Sequence, residues 1–359
     1  TPVLSARRVP EVLAEPVARR RLDAELDAWL AASPADTCLV VEDAGQPVYQ
    51  HNPTTPLTGA STQKLLTATA LLMALGPDAT LQTAAVAGAA PSGGVIAGNL
   101  YIVGGGDSLL ATPNWADQLR APNPIVNDIN GLAQAIVDAG VTRIDGQVLG
   151  DGGRYDDVTF SPAWPRRFFD QDVVGPIDAL MVNDGFATFP GGGATDGGKT
   201  AAPDPSADAA RVLTDLLRAR GVVVAGPPGA GNAPADVVEV ATLASPPMRT
   251  VVAAMLTQSD NETAEASFKE VGRHVSQQGS FEGGAAGVTQ LLQAGGVNLE
   301  GVTVVDGSGL SIENQLTCDT LVDVLTREDT GQVVRDGLAV AGESGTLATV
   351  SGASAGRVW

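Results

Sequence analysis

The clearest periodic signal starts at Ser61. Leu65, Ala68, Leu72 and Leu75 recur at helical spacing, and Leu66, Leu71, Met73 and several alanines fill the other faces until Gly76-Pro77. A helix that is apolar nearly all round belongs at the centre of a domain. Ahead of it, an amphipathic stretch over residues 17–30 predicts a helix, and the apolar runs at 37–43 and 45–49 predict a β-hairpin. Between about residues 81 and 245 the pattern changes. Short β-like runs (Leu100-Tyr101-Ile102-Val103, Gln147-Val148-Leu149, Val222-Val223-Val224-Ala225) alternate with turns rich in glycine and proline, and 207–220 reads as a helix. Helical spacing resumes over 248–256 and again at Ala264, Phe268, Val271 and Val275.

Composition narrows the class. With 359 residues, 44% of them hydrophobic, the chain is long enough for two or three globular domains, which excludes a small scaffold held by disulfides or metal. The 21 basic against 41 acidic residues give a net charge of −20, which repels a polyanion and excludes nucleic acid as a partner. No apolar run approaches the ~18 residues of a membrane-spanning helix. The opening Thr1-Pro2-Val3-Leu4-Ser5-Ala6-Arg7-Arg8 does not read as a signal peptide, so the chain is either cytosolic or a mature exported form. Two cysteines, Cys38 and Cys318, and two histidines, His51 and His274, exclude clustered zinc sites. The cysteines form either one long-range disulfide or two separately buried thiols; the strand-like run Cys38-Leu39-Val40-Val41 favours the second.

Ser61-Thr62-Gln63-Lys64 opens the apolar helix, which places Ser61 and Lys64 one turn apart on one face, with the serine at the positive end of the helix dipole. A serine hydroxyl is a weak nucleophile until a neighbour takes its proton, and a lysine does so only where desolvation lowers its pKa. Taken alone, the motif is equally an N-cap serine beside a solvated lysine. Ser259-Asp260-Asn261 is the second constellation. Its hydroxyl and amide suit proton relay and substrate holding, whereas Ser259 with Glu262 also makes a capping box for the helix carrying Ala264 and Phe268. Glu262 and Glu265 could serve as a hydrolytic base, but surface helix positions or the capping role explain them equally well. Together, Ser-x-x-Lys and Ser-Asp-Asn are two of the three signatures of penicillin-interacting serine enzymes.

Three segments carry a resemblance: Ala60-Ser61-Thr62-Gln63-Lys64-Leu65-Leu66-Thr67-Ala68, Ser259-Asp260-Asn261-Glu262-Thr263-Ala264-Glu265 and Asp306-Gly307-Ser308-Gly309-Leu310-Ser311. On these the chain resembles the D-alanyl-D-alanine carboxypeptidase/endopeptidase family, the class C low-molecular-mass penicillin-binding proteins. Gly98-Asn99-Leu100-Tyr101-Ile102-Val103-Gly104-Gly105-Gly106-Asp107 and Ile144-Asp145-Gly146-Gln147-Val148-Leu149-Gly150-Asp151 resemble that family's inserted region. The resemblance implies an α/β (α+β) penicillin-binding, serine β-lactamase-like transpeptidase domain, an antiparallel sheet flanked by helices, formed by residues 1–80 and 246–359. Residues 81–245 would be a large turn-rich mixed insertion of two nested subdomains. It further implies acyl transfer on peptidoglycan stem peptides, with Ser61 as nucleophile, Lys64 as its base, Ser259 as a proton relay, and Asn261 and Asp260 binding substrate. β-Lactam antibiotics would acylate the same serine. No metal or organic cofactor is implied, and the place of work is the outer side of the cytoplasmic membrane. The Arg-rich, Lys-poor, Ala/Gly-rich composition suggests an actinobacterial member.

One departure concerns the family's third motif, Lys-Thr-Gly on a strand, which the sequence lacks. We align Leu338 to Leu347, followed by Ala355-Gly356-Arg357-Val358-Trp359, with the segment preceding that motif, so that the chain stops just short of it. The alternative is a degraded motif at Glu343-Ser344-Gly345-Thr346-Leu347. The missing motif also keeps open a non-catalytic peptidoglycan-binding relative, and the shared serine and lysine keep open a β-lactamase. Gly193-Ala194-Thr195-Asp196-Gly197-Gly198-Lys199-Thr200 matches a phosphate-loop pattern, but prolines on both sides leave no strand before it or helix after it, and it reads as a surface loop.

Overall fold

The computed structural model describes residues 10–117, 119, 124–189 and 198–350. α1 (Pro10–Leu30) lies beside an antiparallel hairpin, β1 (Leu39–Asp43) and β2 (Gln46–His51). Tyr49 donates to Asp27 of α1 and Arg19 donates to the Pro47 carbonyl, which joins helix to hairpin. Between residues 14 and 62 no side chain is fully buried. The central helix is the opposite. After a 3-10 turn, Ala60–Thr62, α2 (Gln63–Leu75) is buried from Gln63 through Leu72 and stops at Gly76, whose φ of +85° precedes Pro77.

The middle region holds β3 (Gln82–Ala87), β4 (Val95–Ile96), β5 (Leu100–Val103), α3 (Asn130–Asp138), β6 (Arg143–Ile144), β7 (Val148–Asp151), α4 (Pro205–Ala219), β8 (Val223–Val224), β9 (Gly229–Ala230) and β10 (Val238–Ala244). One sheet runs β9-β7-β5-β3-β10, with β9, β7 and β5 parallel and β3 antiparallel to both neighbours; a second, β8-β6-β4, is parallel throughout. α3 and α4 cover these strands, and Ile102, Leu132, Ile144 and Leu213 centre the hydrophobic core between them. Asp204 caps α4 by accepting from Ala207 N–H, and Pro205 supplies its first turn.

The chain then returns to α2 with α5 (Met248–Gln258), α6 (Asn261–Ser276), α7 (Phe281–Ala294), α8 (Cys318–Thr326) and α9 (Gly331–Asp336), all of which pack on it. α7 carries no sequence signal because glycines interrupt its apolar face. Those glycines are the packing surface: a Cβ on Gly284 would stand 2.4 Å from the Phe268 ring and 2.7 Å from the Phe268 carbonyl of α6. Residues 155–181 also run onto this helical core, with Trp164 edge-on to Phe281 at 5.4 Å. The middle stretch therefore contributes to both cores. Among the described residues, the antiparallel sheet beside the helical core is the β1-β2 hairpin, and the larger sheets belong to the middle region.

Two local expectations change. Cys38 and Cys318 are joined in a disulfide rather than separately buried, because the Leu57–Leu316 bridge and the bond from Asp319 N–H to the Pro53 carbonyl bring the start of β1 to the first residue of α8. The capping box at Ser259 is also replaced: Asp260 caps α6, while Ser259 terminates α5 in the left-handed region.

Candidate active site

Ser61 lies in the 3-10 turn that feeds α2, so it remains exposed, whereas Lys64 in the first turn of α2 is 1% exposed. Lys64 Nζ donates to Ser61 Oγ at 3.2 Å, to Asn261 Oδ1 at 2.9 Å and to the Ser308 carbonyl at 2.9 Å. Ser259 Oγ donates to Ser61 Oγ at 2.9 Å. Four of the five residues singled out from the sequence thus meet at one point. The fifth, Asp260, is turned to another task. Its oxygens accept from the Thr263 N–H at 3.0 Å and the Thr263 hydroxyl at 2.7 Å, so it holds the start of α6 rather than offering a free carboxylate to substrate.

The backbone around the serine is strained on two sides. Ala60 (φ 45°) and Ser259 (φ 55°) occupy the left-handed region that non-glycine residues avoid. Gly309, at φ +86°, packs so tightly that a Cβ would come within 1.9 Å of the Ala60 carbonyl. The turn Asp306-Gly307-Ser308-Gly309 is therefore the third wall of the site. It is wound around two buried carboxylates: Glu265 accepts from Ser308 N–H (2.7 Å) and Gly307 N–H (3.0 Å), and Asp306 accepts from Gly309 N–H, Ser311 N–H, the Asn314 amide and the Trp164 indole. Thr67, one turn along α2 from Lys64, donates to the Gly307 carbonyl at 2.8 Å.

Burial pushes the Lys64 amine down to about 8, against the opposing pull of Glu265, Asp260, Asp306 and Glu262. Burial likewise pushes the Glu265 carboxyl upward, reinforced by Asp306 and opposed by the Gly307 and Ser308 N–H groups that bond its charged form, and raises Glu262, which accepts from Gly175 N–H at 2.8 Å, to about 7. Both glutamates are buried, not at the surface. An ammonium has three N–H donors and Lys64 has three oxygen partners; a neutral amine keeps two of those bonds and turns its lone pair to the third. A lone pair facing Ser61 makes the hydroxyl an activated nucleophile.

Glu265 and the Ser308 carbonyl belong to the walls of the site, where sequence reasoning does not place them. The available signal for Glu265 was its position one turn after Asn261 on the same helix face. Residues 343–347 do not form a strand: Gly345–Leu347 is a 3-10 turn whose Gly345 abuts the Thr257 carbonyl of α5. Residues 355–359, residues 1–8 and residues 193–197 of the phosphate-loop look-alike lie outside the described residues. Lys199 of that look-alike stands over the Phe186 ring at 4.2 Å.

Helices gathered on a buried Ser-x-x-Lys helix, with a Ser-Asp-Asn turn and a glycine-containing turn as the other walls, define a penicillin-binding-type fold. The same fold is seen in the crystal structure of penicillin binding protein 4 from Haemophilus influenzae, which aligns with a TM-score of 0.70 at 20% identity over 87% of this chain and 80% of that one. The chain belongs to the D-Ala-D-Ala carboxypeptidase 3 (S13) family, whose model matches residues 22–191 and 188–358. It is 32% identical over 311 residues to a carboxypeptidase of Mycobacterium tuberculosis, covering 84% of this chain and 63% of that protein. It is also similar to carboxypeptidase DacB of Mycolicibacterium smegmatis (30%, 94% of this chain and 72% of that protein) and to a D-alanyl-D-alanine carboxypeptidase of Actinomadura sp. (26%, 92% and 72%). The chain thus spans less than two thirds of the length of the first of these relatives.

Proposed function

We propose that the chain is a serine DD-peptidase that cleaves the D-Ala-D-Ala end of peptidoglycan stem peptides through an acyl-enzyme on Ser61. The observation that carries this reading is Lys64, desolvated at the base of the site with Ser61 Oγ as one of its three partners. As a free amine Lys64 takes the Ser61 proton while Oγ attacks the carbonyl between the two D-alanines. The proton taken by Lys64 then returns by way of the Ser259 hydroxyl, which is bonded to Ser61 Oγ, to the departing amine of D-alanine, leaving Lys64 neutral and Ser259 unchanged, and water hydrolyses the ester to free Ser61 and release the peptide acid. With its oxygen committed to Lys64, Asn261 has its Nδ2, 3.5 Å from the Val173 carbonyl, to offer to a substrate carbonyl, and the Ser61 N–H is one oxyanion donor. Family membership and three relatives named as carboxypeptidases support the reading. β-Lactams present a strained amide to the same serine and acylate it by the same attack.

The substrate lies outside the cytoplasmic membrane, and a disulfide between Cys38 and Cys318 accords with an oxidising compartment. Among the described residues no helix is long and apolar enough to cross a membrane. We assign residues 1–80 and 246–359 to the peptidase domain and 81–245 to the insertion, with 155–181 packed against the peptidase core. The test is release of D-alanine from a peptide ending in D-Ala-D-Ala. Release by the wild-type chain and none by Ser61→Ala supports the assignment; equal release by both refutes it.

A further inference from the structure

Two of the three acceptors around Lys64 are governed from a single helix. Asn261 Oδ1 comes directly from α6, and the Ser308 carbonyl is held by a turn whose two preceding N–H groups both bond to Glu265, one helical turn further along α6. Glu265 is fully buried and, among the described residues, its side-chain hydrogen bonds go to that turn and not to Ser61, so the proposed chemistry leaves it without a task. A buried carboxylate persists where its charge or its geometry is used.

We propose that Glu265 is a positioning residue for the Ser61–Lys64 pair: through the Gly307–Ser308 backbone it fixes the second acceptor of Lys64, and with Asn261 it leaves the amine's remaining direction to the Ser61 hydroxyl. The hydrogen-bond path is continuous, from Glu265 Oε1 to Ser308 N–H, then from the Ser308 carbonyl to Lys64 Nζ and on to Ser61 Oγ. Thr67 closes the path from the other side by bonding the Gly307 carbonyl from α2 itself. Fixing two N–H bonds is what gives a neutral amine a defined lone-pair direction; without the Ser308 carbonyl the amine rotates freely between Asn261 and Ser61. The same carboxylate faces the ammonium electrostatically, together with Asp260 and Glu262 on α6 and Asp306 on the turn, so it also influences the pH at which Lys64 releases its proton.

This role rests on the reading of Lys64 as the base, and the test separates the two. The chain has three lysines, Lys64, Lys199 and Lys269, so a protein labelled with carbon-13 at the lysine ε position reports Lys64 ionisation by NMR without any turnover. In Glu265→Gln the amide keeps one acceptor, faces the second N–H with a donor and carries no charge. The Lys64 midpoint is expected to move to lower pH, and acylation by benzylpenicillin to slow by about 10- to 100-fold with its pH limb displaced in the same direction. A wild-type Lys64 midpoint in a folded Glu265→Gln protein, with its other two lysine signals in place, overturns the proposal. Should that variant not fold, Glu265→Asp decides: it keeps the charge but shortens the reach, so slowed acylation with an unmoved Lys64 midpoint supports the role and a wild-type rate overturns it. If wild type and Ser61→Ala behave alike toward benzylpenicillin while Lys64 still shifts in Glu265→Gln, the catalytic reading fails and the coupling of Glu265 to Lys64 stands.

Discussion

Lys64 loses its hydration on entering the helix core, and three fixed oxygens replace only part of it, so the free amine is favoured at lower pH than in an ordinary lysine. The sign of the resulting pH dependence is set by its role. As the proposed base, Lys64 would accept the Ser61 proton only when unprotonated, so the second-order rate of acylation by benzylpenicillin should climb with pH and level off above about 8. A rate that falls over pH 6 to 8 contradicts the assignment of Lys64 as base. Replacing the amine outright, as in Lys64→Met, should cost at least about 100-fold in the same rate, measured by stopped-flow with a fluorescent penicillin. At this scale the sequence was informative about side chains and silent about backbone. The motifs holding Ser61, Lys64, Ser259 and Asn261 singled out side chains that the fold brings together, but a carbonyl such as that of Ser308 belongs to every residue type, and only the fold brings it to the amine. Glu265 is buried where its sequence context suggests a surface position, for a related reason: a glutamate in a helix is normally solvated, and its burial depends on a turn some 40 positions later.

Elements deliver these groups through their ends. α5 stops and α6 starts within two residues, which requires the left-handed Ser259 and an immediate cap on α6, and Asp260 provides that cap. Asp260→Ala should therefore lower stability by about 1 kcal/mol in urea titration and slow acylation by loosening Ser259 and Asn261, whereas a loss confined to substrate affinity would restore Asp260 to a binding role. Helices with uninterrupted apolar periodicity, α2 and α6, were evident in the sequence; α7 was not, since its glycines weaken helix propensity and carry no hydropathy signal. Their reason is close approach. Gly284→Ala adds a methyl group against Phe268 of α6 and is expected to cost about 1–3 kcal/mol, read as a lowered urea midpoint at unchanged slope. A neutral result would mean that the two helices separate without penalty.

Across the whole molecule, two cores meet through residues 155–181, which cross from the middle region onto the helices that carry the site. The change of pattern near residues 81 and 245 was visible as a change in turn density, but the return of 155–181 was not, because it is set by long-range packing of Tyr155, Trp164 and Ile177 rather than by any local periodicity. The N-terminal layer stands apart energetically. With no fully buried side chain between residues 14 and 62, the α1-hairpin layer relies on partial contacts and on the Cys38–Cys318 link. Reduction should accordingly speed amide exchange across β1 and β2 while leaving α6 protected, and uniform loosening of both would show that the link supports the entire fold. The central claim is that Ser61 is a nucleophile activated by Lys64, and intact-mass spectrometry after incubation with benzylpenicillin tests it most directly. We predict a single added mass equal to one penicillin on the wild-type chain and none on Ser61→Ala; the same adduct on both proteins would contradict the account.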